Sequence, residues 1–367
     1  MNRPALTACL LTSLACCLHA AEPAPEPGAE PTSKTNARLR QALKKHPQAD
    51  ANKDGVLTRT EGLAYRKKVI AERAKSQGGR AKRKPSGIDT SLGGGEAPIP
   101  KRGKFRVFIL SGQSNMVGQG QANELPEPLR KPHGRIRIWV DGKWQHLVPT
   151  RRFGPEVSFA QELARAWPED CVGIIKVAIG GTGILAFVPD WKKEQADRTR
   201  DGHKGPIYKT IIGCFQAAKG AGEFELMGFV WKQGGKDMRN AGTAKEYLAN
   251  FRKLIAGLRK DTGVADLPAF ISTYRSKEEL AKALQDPQIR ALTLARSRSR
   301  PGLVDVLKAH TEAPDKIPHV VAVAHGKLPM RPDGIHFNTE GQLKHGKLLA
   351  EAVLKYEEGR AKAKAKP

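Results

Sequence analysis

The sequence predicts an α/β fold, a parallel sheet with helices on both faces, preceded by a small helix-loop-helix. Short apolar runs at Phe105–Leu110, Ile136–Val140, Val172–Ala178, Leu226–Trp231, Ala269–Tyr274 and His319–Val323 have the length of strands. Helical periodicity at Glu156–Ala166, Ile207–Ala218, Ala244–Leu258, Lys277–Leu292 and Thr339–Tyr356 alternates with them. Upstream, residues 34–76 carry two helical stretches around an acidic loop. Strands that alternate with helices form parallel sheets covered on both faces, and chemistry then gathers beyond the carboxyl ends of the strands.

Taken in order, the first 21 residues have a basic start at Arg3, an apolar run from Ala5 to Leu18 and small residues before Ala21-Glu22. That pattern is a secretory signal, too short for a membrane span, and it implies a secreted or periplasmic protein. No later stretch is apolar and long enough to span. Residues 22–33, rich in Pro, Glu and Ala, read as a linker. Residues 77–103, rich in Gly, Lys, Arg and Pro, read as a basic linker, and residues 358–367 as a basic tail. The catalytic-sized remainder is 104–357.

The net charge of +26 is concentrated in these flanks: residues 34–104 hold 19 Lys/Arg against 6 Asp/Glu, a surplus of 13. Aromatics are scarce among those cations and no base-reading motif is present, which argues against specific nucleic-acid binding. A solvated basic linker, or adhesion to an anionic polysaccharide, fits the charge better. With Cys9, Cys16 and Cys17 inside the signal, Cys171 and Cys214 remain, either paired or as two buried thiols.

The acidic loop Asp50-Ala-Asn52-Lys-Asp54-Gly55-Val56-Leu-Thr58-Arg-Thr-Glu61 has the spacing of an EF-hand. Asp50, Asn52, Asp54, the Val56 carbonyl, Thr58 and Glu61 would ligate Ca2+, and Gly55 would make the sharp turn. A second such loop is missing and Pro47 interrupts the incoming helix, so a structural rather than a signalling role is expected.

The first strand of the main domain runs directly into Leu110-Ser-Gly-Gln-Ser-Asn-Met-Val-Gly118. Glycines at 112 and 118 permit tight turns that would present Ser114 above the strand ends. A serine hydroxyl needs a neighbouring base held by a third group. Asp333-Gly-Ile-His336, just before the last helix, supplies an acid and an imidazole on one turn.

Ile109–Gly118 resembles the nucleophile block of carbohydrate esterase family 6 and the sialate O-acetylesterase-type domain, within the SGNH-hydrolase superfamily. Phe153-Gly-Pro-Glu-Val-Ser-Phe159, Lys176-Val-Ala-Ile-Gly-Gly-Thr182, Gly228-Phe-Val-Trp-Lys-Gln-Gly234 and Asp333–Gln342 resemble its further blocks, in the family's order. The resemblance implies a three-layer α/β/α, flavodoxin-like fold and an esterase acting on O-acetyl groups of carbohydrates, with no cofactor for catalysis. Carried over, it implies Ser114 as nucleophile, His336 as base and Asp333 as its partner. It also implies an oxyanion hole from the Ser114 N–H, an N–H at Gly180 or Gly181, and the Gln233 side-chain amide. The family's Trp-x-Gln-Gly-Glu-x-Asp is here Trp231-Lys-Gln-Gly-Gly-Lys-Asp237, with Gly235 in place of the glutamate. If that acid were the histidine's partner, the chain would be an impaired, carbohydrate-binding relative; if Asp333 is, an enzyme. Arg152 and Glu156 stand where they would either line the crevice or brace it.

Overall fold

The computed structural model describes residues 30–76, 87–100, 102–288, 290–291 and 299–364. Residues 1–21, read above as a secretory signal, most of the 22–33 segment, the most basic part of the 77–103 segment and the last three residues of the chain therefore lie outside the described residues. Two compact units divide the chain, residues 1–82 and 83–367.

The first unit is built on α1 (Ala37–Lys45) and α2 (Arg59–Ser76). Asn36 caps α1 by accepting from the N–H groups of Arg38 and Leu39, as a side-chain oxygen at this position does for the orphan first-turn donors. Pro47 ends the incoming helix, and a single 3-10 turn, Pro47–Ala49, leads into the acidic loop. The linker boundary needs correction here. Thr32 bridges to Thr58, the Ser33 N–H donates to Leu57 O at 2.8 Å and the Arg59 N–H donates to Pro31 O. Residues 31–33 thus belong to this unit, with backbone pairing that no apolar pattern announces.

The second unit carries a sheet of β1 (Gly93–Glu96), β2 (Phe105–Gly112), β3 (Ile136–Val140), β4 (Lys143–Leu147), β5 (Cys171–Ala178), β6 (Glu225–Lys232), β7 (Ala269–Thr273) and β8 (Val320–Ala324). Their spatial order is β1-β4-β3-β5-β2-β6-β7-β8. From β3 to β8 neighbouring strands are parallel; β4 and β1 extend the β3 edge antiparallel. Strand β2 lies inside the sheet, and its side chains alternate between two cores. Val107 and Ile109 enter one with the helices α4 (Ile207–Gly220), α5 (Tyr247–Thr262) and α6 (Leu303–Lys316). Phe108 and Leu110 enter the other with α3 (Glu156–Ala166) and α7 (Thr339–Lys364). The period of two along a strand makes this division, and it yields the three layers.

Two differences from the sequence reading have a common cause. Residues 90–96, assigned to a linker, form a 3-10 turn and the edge strand β1, with Leu92 fully buried. A Gly-Gly-Gly-Glu strand pairs through backbone alone. Likewise α7 continues to Lys364, through residues assigned to a tail; alanines and lysines are good helix formers that need no buried face. Helix α6 and strand β4 were not among the predicted elements at all. Cys171 and Cys214 are free and buried, and burial pushes the Cys214 thiol up to about 11.

Candidate active site

Strand β2 ends at Gly112, whose φ of 147° and closeness to Lys232 O (a Cβ would sit 2.1 Å away) exclude a side chain. The Gln113 N–H donates to Lys232 O, and the chain turns at once into a short helix, Ser114–Val117. Ser114 therefore begins a helix at the carboxyl edge of the sheet and is half-buried. The turn is braced from within: Lys176 Nζ donates to Val117 O at 2.9 Å and pairs with Glu156 Oε2 at 2.6 Å. Glu156 is fully buried, and its other oxygen accepts the Gly154 N–H at 2.7 Å. The Gly-Pro-Glu segment is thus scaffolding beneath the serine. Arg152, by contrast, is exposed.

The next residue, Asn115, ties this turn to the far end of the chain. Its Nδ2 donates to Ile335 O at 3.1 Å and its Oδ1 accepts the Phe337 N–H at 3.0 Å. The two residues flanking His336 are thereby fastened to the residue beside Ser114. Sequence reasoning did not single out Asn115, although its place directly after the serine was a usable signal.

Within the histidine's turn, His336 Nδ1 lies 2.7 Å from Asp333 Oδ2, and Asp333 Oδ1 accepts the N–H groups of Ile335 and His336. The bond to His336 holds the Asp333 carboxyl down at about 2. Paired with an ionised acid, Nδ1 carries the proton, and the lone pair of Nε2 remains for an acceptor role. An acid partner for the imidazole is therefore present without a glutamate at 235. The place such a side chain would enter is taken: a Cβ on Gly235 would stand 2.8 Å from Gln113 Nε2, while Gln113 Oε1 accepts the Lys236 N–H.

After β5 comes Gly180-Gly181, both exposed, and a Cβ on Gly180 would lie 3.9 Å from that of Ser114. Lys204 Nζ holds this turn from outside, donating to Gly180 O at 3.1 Å and Gly181 O at 2.8 Å while paired with buried Asp201 at 2.7 Å. Gln233 requires a correction. Its Nε2 donates to Thr182 O at 2.8 Å and to Asp237 Oδ2 at 2.6 Å, and its Oε1 accepts from the Tyr247 hydroxyl at 2.7 Å. Both amide protons are used, so the side chain holds the Gly180–Thr182 turn and has no donor left for an oxyanion. Asp237, fully buried and pushed up to about 6 by burial, also accepts the Ile184 N–H and so anchors loops.

In the first unit, Asp50, Asn52, Asp54, Val56, Thr58 and Glu61 share one tight loop. Asp50 Oδ2 accepts the Gly55 N–H at 2.8 Å, Asp54 Oδ1 accepts the Val56 N–H, and Glu61 Oε2 accepts from Thr58. Asp50 Oδ1 is buried and without a hydrogen-bond partner.

A strand-end hydroxyl, an imidazole oriented by an ionised acid and a glycine turn opening beside the hydroxyl are what hydrolysis of an ester requires. The family model described as carbohydrate esterase, sialic acid-specific acetylesterase, matches residues 104–355, and the chain belongs to that family. It is accordingly a carboxylic ester hydrolase of the carbohydrate acetylesterase kind. It is 25% identical over 283 residues to a probable carbohydrate esterase of Arabidopsis thaliana, covering 71% of this chain and 93% of the relative. The crystal structure of an Arabidopsis thaliana protein aligns with a TM-score of 0.52 at 22% identity, over 68% of this chain and 98% of that one. The crystal structure of NanS aligns with a TM-score of 0.51 at 13% identity, over 71% of this chain and all of that one. These last two likenesses are likenesses of fold. No helix among the described residues is long and apolar enough to cross a membrane.

Proposed function

We propose that the chain is an exported serine esterase of the SGNH type that removes O-acetyl groups from carbohydrate, using Ser114, His336 and Asp333. One observation carries the reading: the Asp333-oriented imidazole sits on a turn tied at both flanks to the residue after Ser114. In the first half-reaction Ser114 Oγ attacks the acetyl carbonyl carbon and its proton passes to His336 Nε2. The carbonyl oxygen becomes an oxyanion, met by the N–H of Ser114 and an N–H at Gly180 or Gly181. Neighbouring Asp333 stabilises the imidazolium without itself taking the proton. Collapse breaks the bond to the sugar oxygen, which leaves with the proton from His336. In the second half-reaction water, deprotonated by His336, attacks the acetyl-serine; acetate leaves and the hydroxyl is restored. Release of p-nitrophenol from its acetate ester by the purified chain, and its loss in Ser114→Ala, tests the reading. Equal rates in the two would end it.

Calcium at the Asp50–Glu61 loop is a second, separate proposal. An orphaned buried carboxylate oxygen on Asp50 supports it, since such an atom costs free energy unless a proton or cation faces it. The ion would be structural, held by the six positions named above.

A further inference from the structure

One cationic group borders both turns of the candidate active site and has no part in the mechanism above. Lys232 ends β6 and stands in register with Gly112. Its carbonyl accepts the Gln113 N–H at 2.9 Å, so its backbone holds the start of the turn that presents Ser114. Its side chain reaches the other turn: Lys232 Nζ lies 5.6 Å from the centroid of the Phe337 ring. Phe337 directly follows His336, is buried, and is fastened through its N–H to Asn115 Oδ1. The histidine's turn therefore packs against this amine.

The surroundings suit a neutral amine better than an ammonium. Lys232 Nζ lies 2.6 Å from Nε2 of His325, which follows β8, and the other ring nitrogen lies 3.0 Å from Gly326 O. Nδ1 thus carries the imidazole proton, and Nε2 accepts from Lys232. Among the described residues no carboxylate pairs with Lys232. The His325 ring is flanked by Tyr274 after β7, His345 on α7 and Phe337, at centroid distances of 5.6, 5.7 and 5.2 Å. Burial together with the Lys232 charge holds His325, His345 and, on α6, His310 neutral. Asp333 is spent on His336, and Asp237 on Gln233 and the Ile184 N–H. A ring face offsets only part of the hydration that an ammonium loses on burial. Burial accordingly pushes Lys232 from 10.5 down to about 7.

We propose that Lys232 is a positioning residue of the esterase that makes the histidine's turn responsive to pH: Phe337 packs fully over the amine only when Lys232 has given up its proton. The proposal rests on the esterase reading and adds a control to it. Closing the turn over Lys232 costs an ammonium its water, whereas the neutral amine keeps its bond to His325 at little loss. The closed turn therefore binds this proton less tightly than the open one, and closure gains as the pH rises through about 7. In the Trp-x-Gln-Gly block Lys232 stands at the open position, so the control belongs to this chain and not to the block.

The test reads the turn and the turnover separately. In the native full-length chain, hydrogen exchange of residues 330–338, corrected for intrinsic rates, is expected to slow between about pH 6 and pH 9. Lys232→Met, neutral throughout, should exchange slowly at both pH values, and Lys232→Arg, charged throughout, rapidly at both. Turnover of p-nitrophenyl acetate should follow. At pH 6 about one Lys232 in ten is neutral, so kcat of the native chain relative to Lys232→Met should be about tenfold lower there than at pH 9, with KM nearly unchanged. The native exchange comparison needs no variant, so a substitution that disturbs folding does not remove the test. Exchange in the native chain that does not slow with pH, or a slowing that persists in Lys232→Met, overturns the proposal. Failure of the native chain to hydrolyse p-nitrophenyl acetate at any pH would instead end the esterase reading; the exchange result, which needs no turnover, would still decide whether Lys232 governs the turn.

Discussion

At the scale of single residues, the proposed mechanism makes turnover in a chain with Gly235 depend on the Asp333–His336 pair. Asp333 is partly exposed and lies on the same short turn as the histidine, so its hold on the ring is local. Replacing it by Asn would permit the wrong tautomer, and a loss of ~10⁴-fold in kcat is expected in the p-nitrophenyl acetate assay, not recovered by raising the pH. The pH dependence follows from the sign of the shift. Asp333 is lowered from 3.8 to about 2, so it remains ionised throughout the neutral range. Its contribution to stability is full above about pH 4 and disappears as the pH falls toward 2. A rate that declined between pH 8 and pH 5 by the same factor in the native chain and in Asp333→Asn would contradict this assignment. Gln233 illustrates the opposite case. The resemblance implied its amide as an oxyanion donor, yet Thr182 O and Asp237 have claimed both protons.

At the scale of elements, the site consists of turns that are each fastened to something rigid. Asn115 joins the serine's turn to the histidine's; Lys204 holds the carbonyls of Gly180 and Gly181; Lys176 and Glu156 support the serine's helix from the core. With the Gly180 and Gly181 carbonyls directed at Lys204, the turn's peptide planes are locked, which fixes where its N–H groups point. Lys204→Met is expected to lower kcat about tenfold with KM nearly unchanged, and Lys204→Arg to recover part of it; an oxyanion donor removed outright costs ~10²–10³. A rise in KM alone would show that Lys204 serves binding instead. Asn115→Ala should loosen the register between hydroxyl and imidazole and cost ~10²-fold in kcat, the scale of a 1 Å misplacement. For the buried Glu156–Lys176 pair the expected effect is on stability. Glu156→Ala leaves a buried ammonium uncompensated and should destabilise the domain by about 3–5 kcal/mol, read from the urea midpoint.

At the scale of the whole molecule, the chain divides at residue 82, and the matched family segment lies wholly in the second unit. A chain beginning at Arg83 is therefore expected to keep its esterase rate. Calcium, by contrast, should raise the melting temperature of the first unit alone, and Glu61→Gln should abolish that rise; an identical melting curve in chelator and in calcium would sink the metal proposal. Much of this organisation was legible in advance. The parallel strands showed themselves as apolar runs because both of their faces are buried, and Ser114, Asp333 and His336 were singled out by the family blocks in which they stand. What determined them is local: burial period, turn residues, ligand spacing. Strand β1, the reach of α7 and the second role of Gln233 were not legible, for they depend on which backbone or amide group another part of the chain happens to meet. The same holds for Arg152 and Arg331, far apart in the chain, which come together only because both donate to Gln119. Residue types, spacing and family blocks pointed to candidate residues; only the packed sheet joined their turns, because hydrogen bonds between residues some two hundred positions apart have no period for a sequence to display.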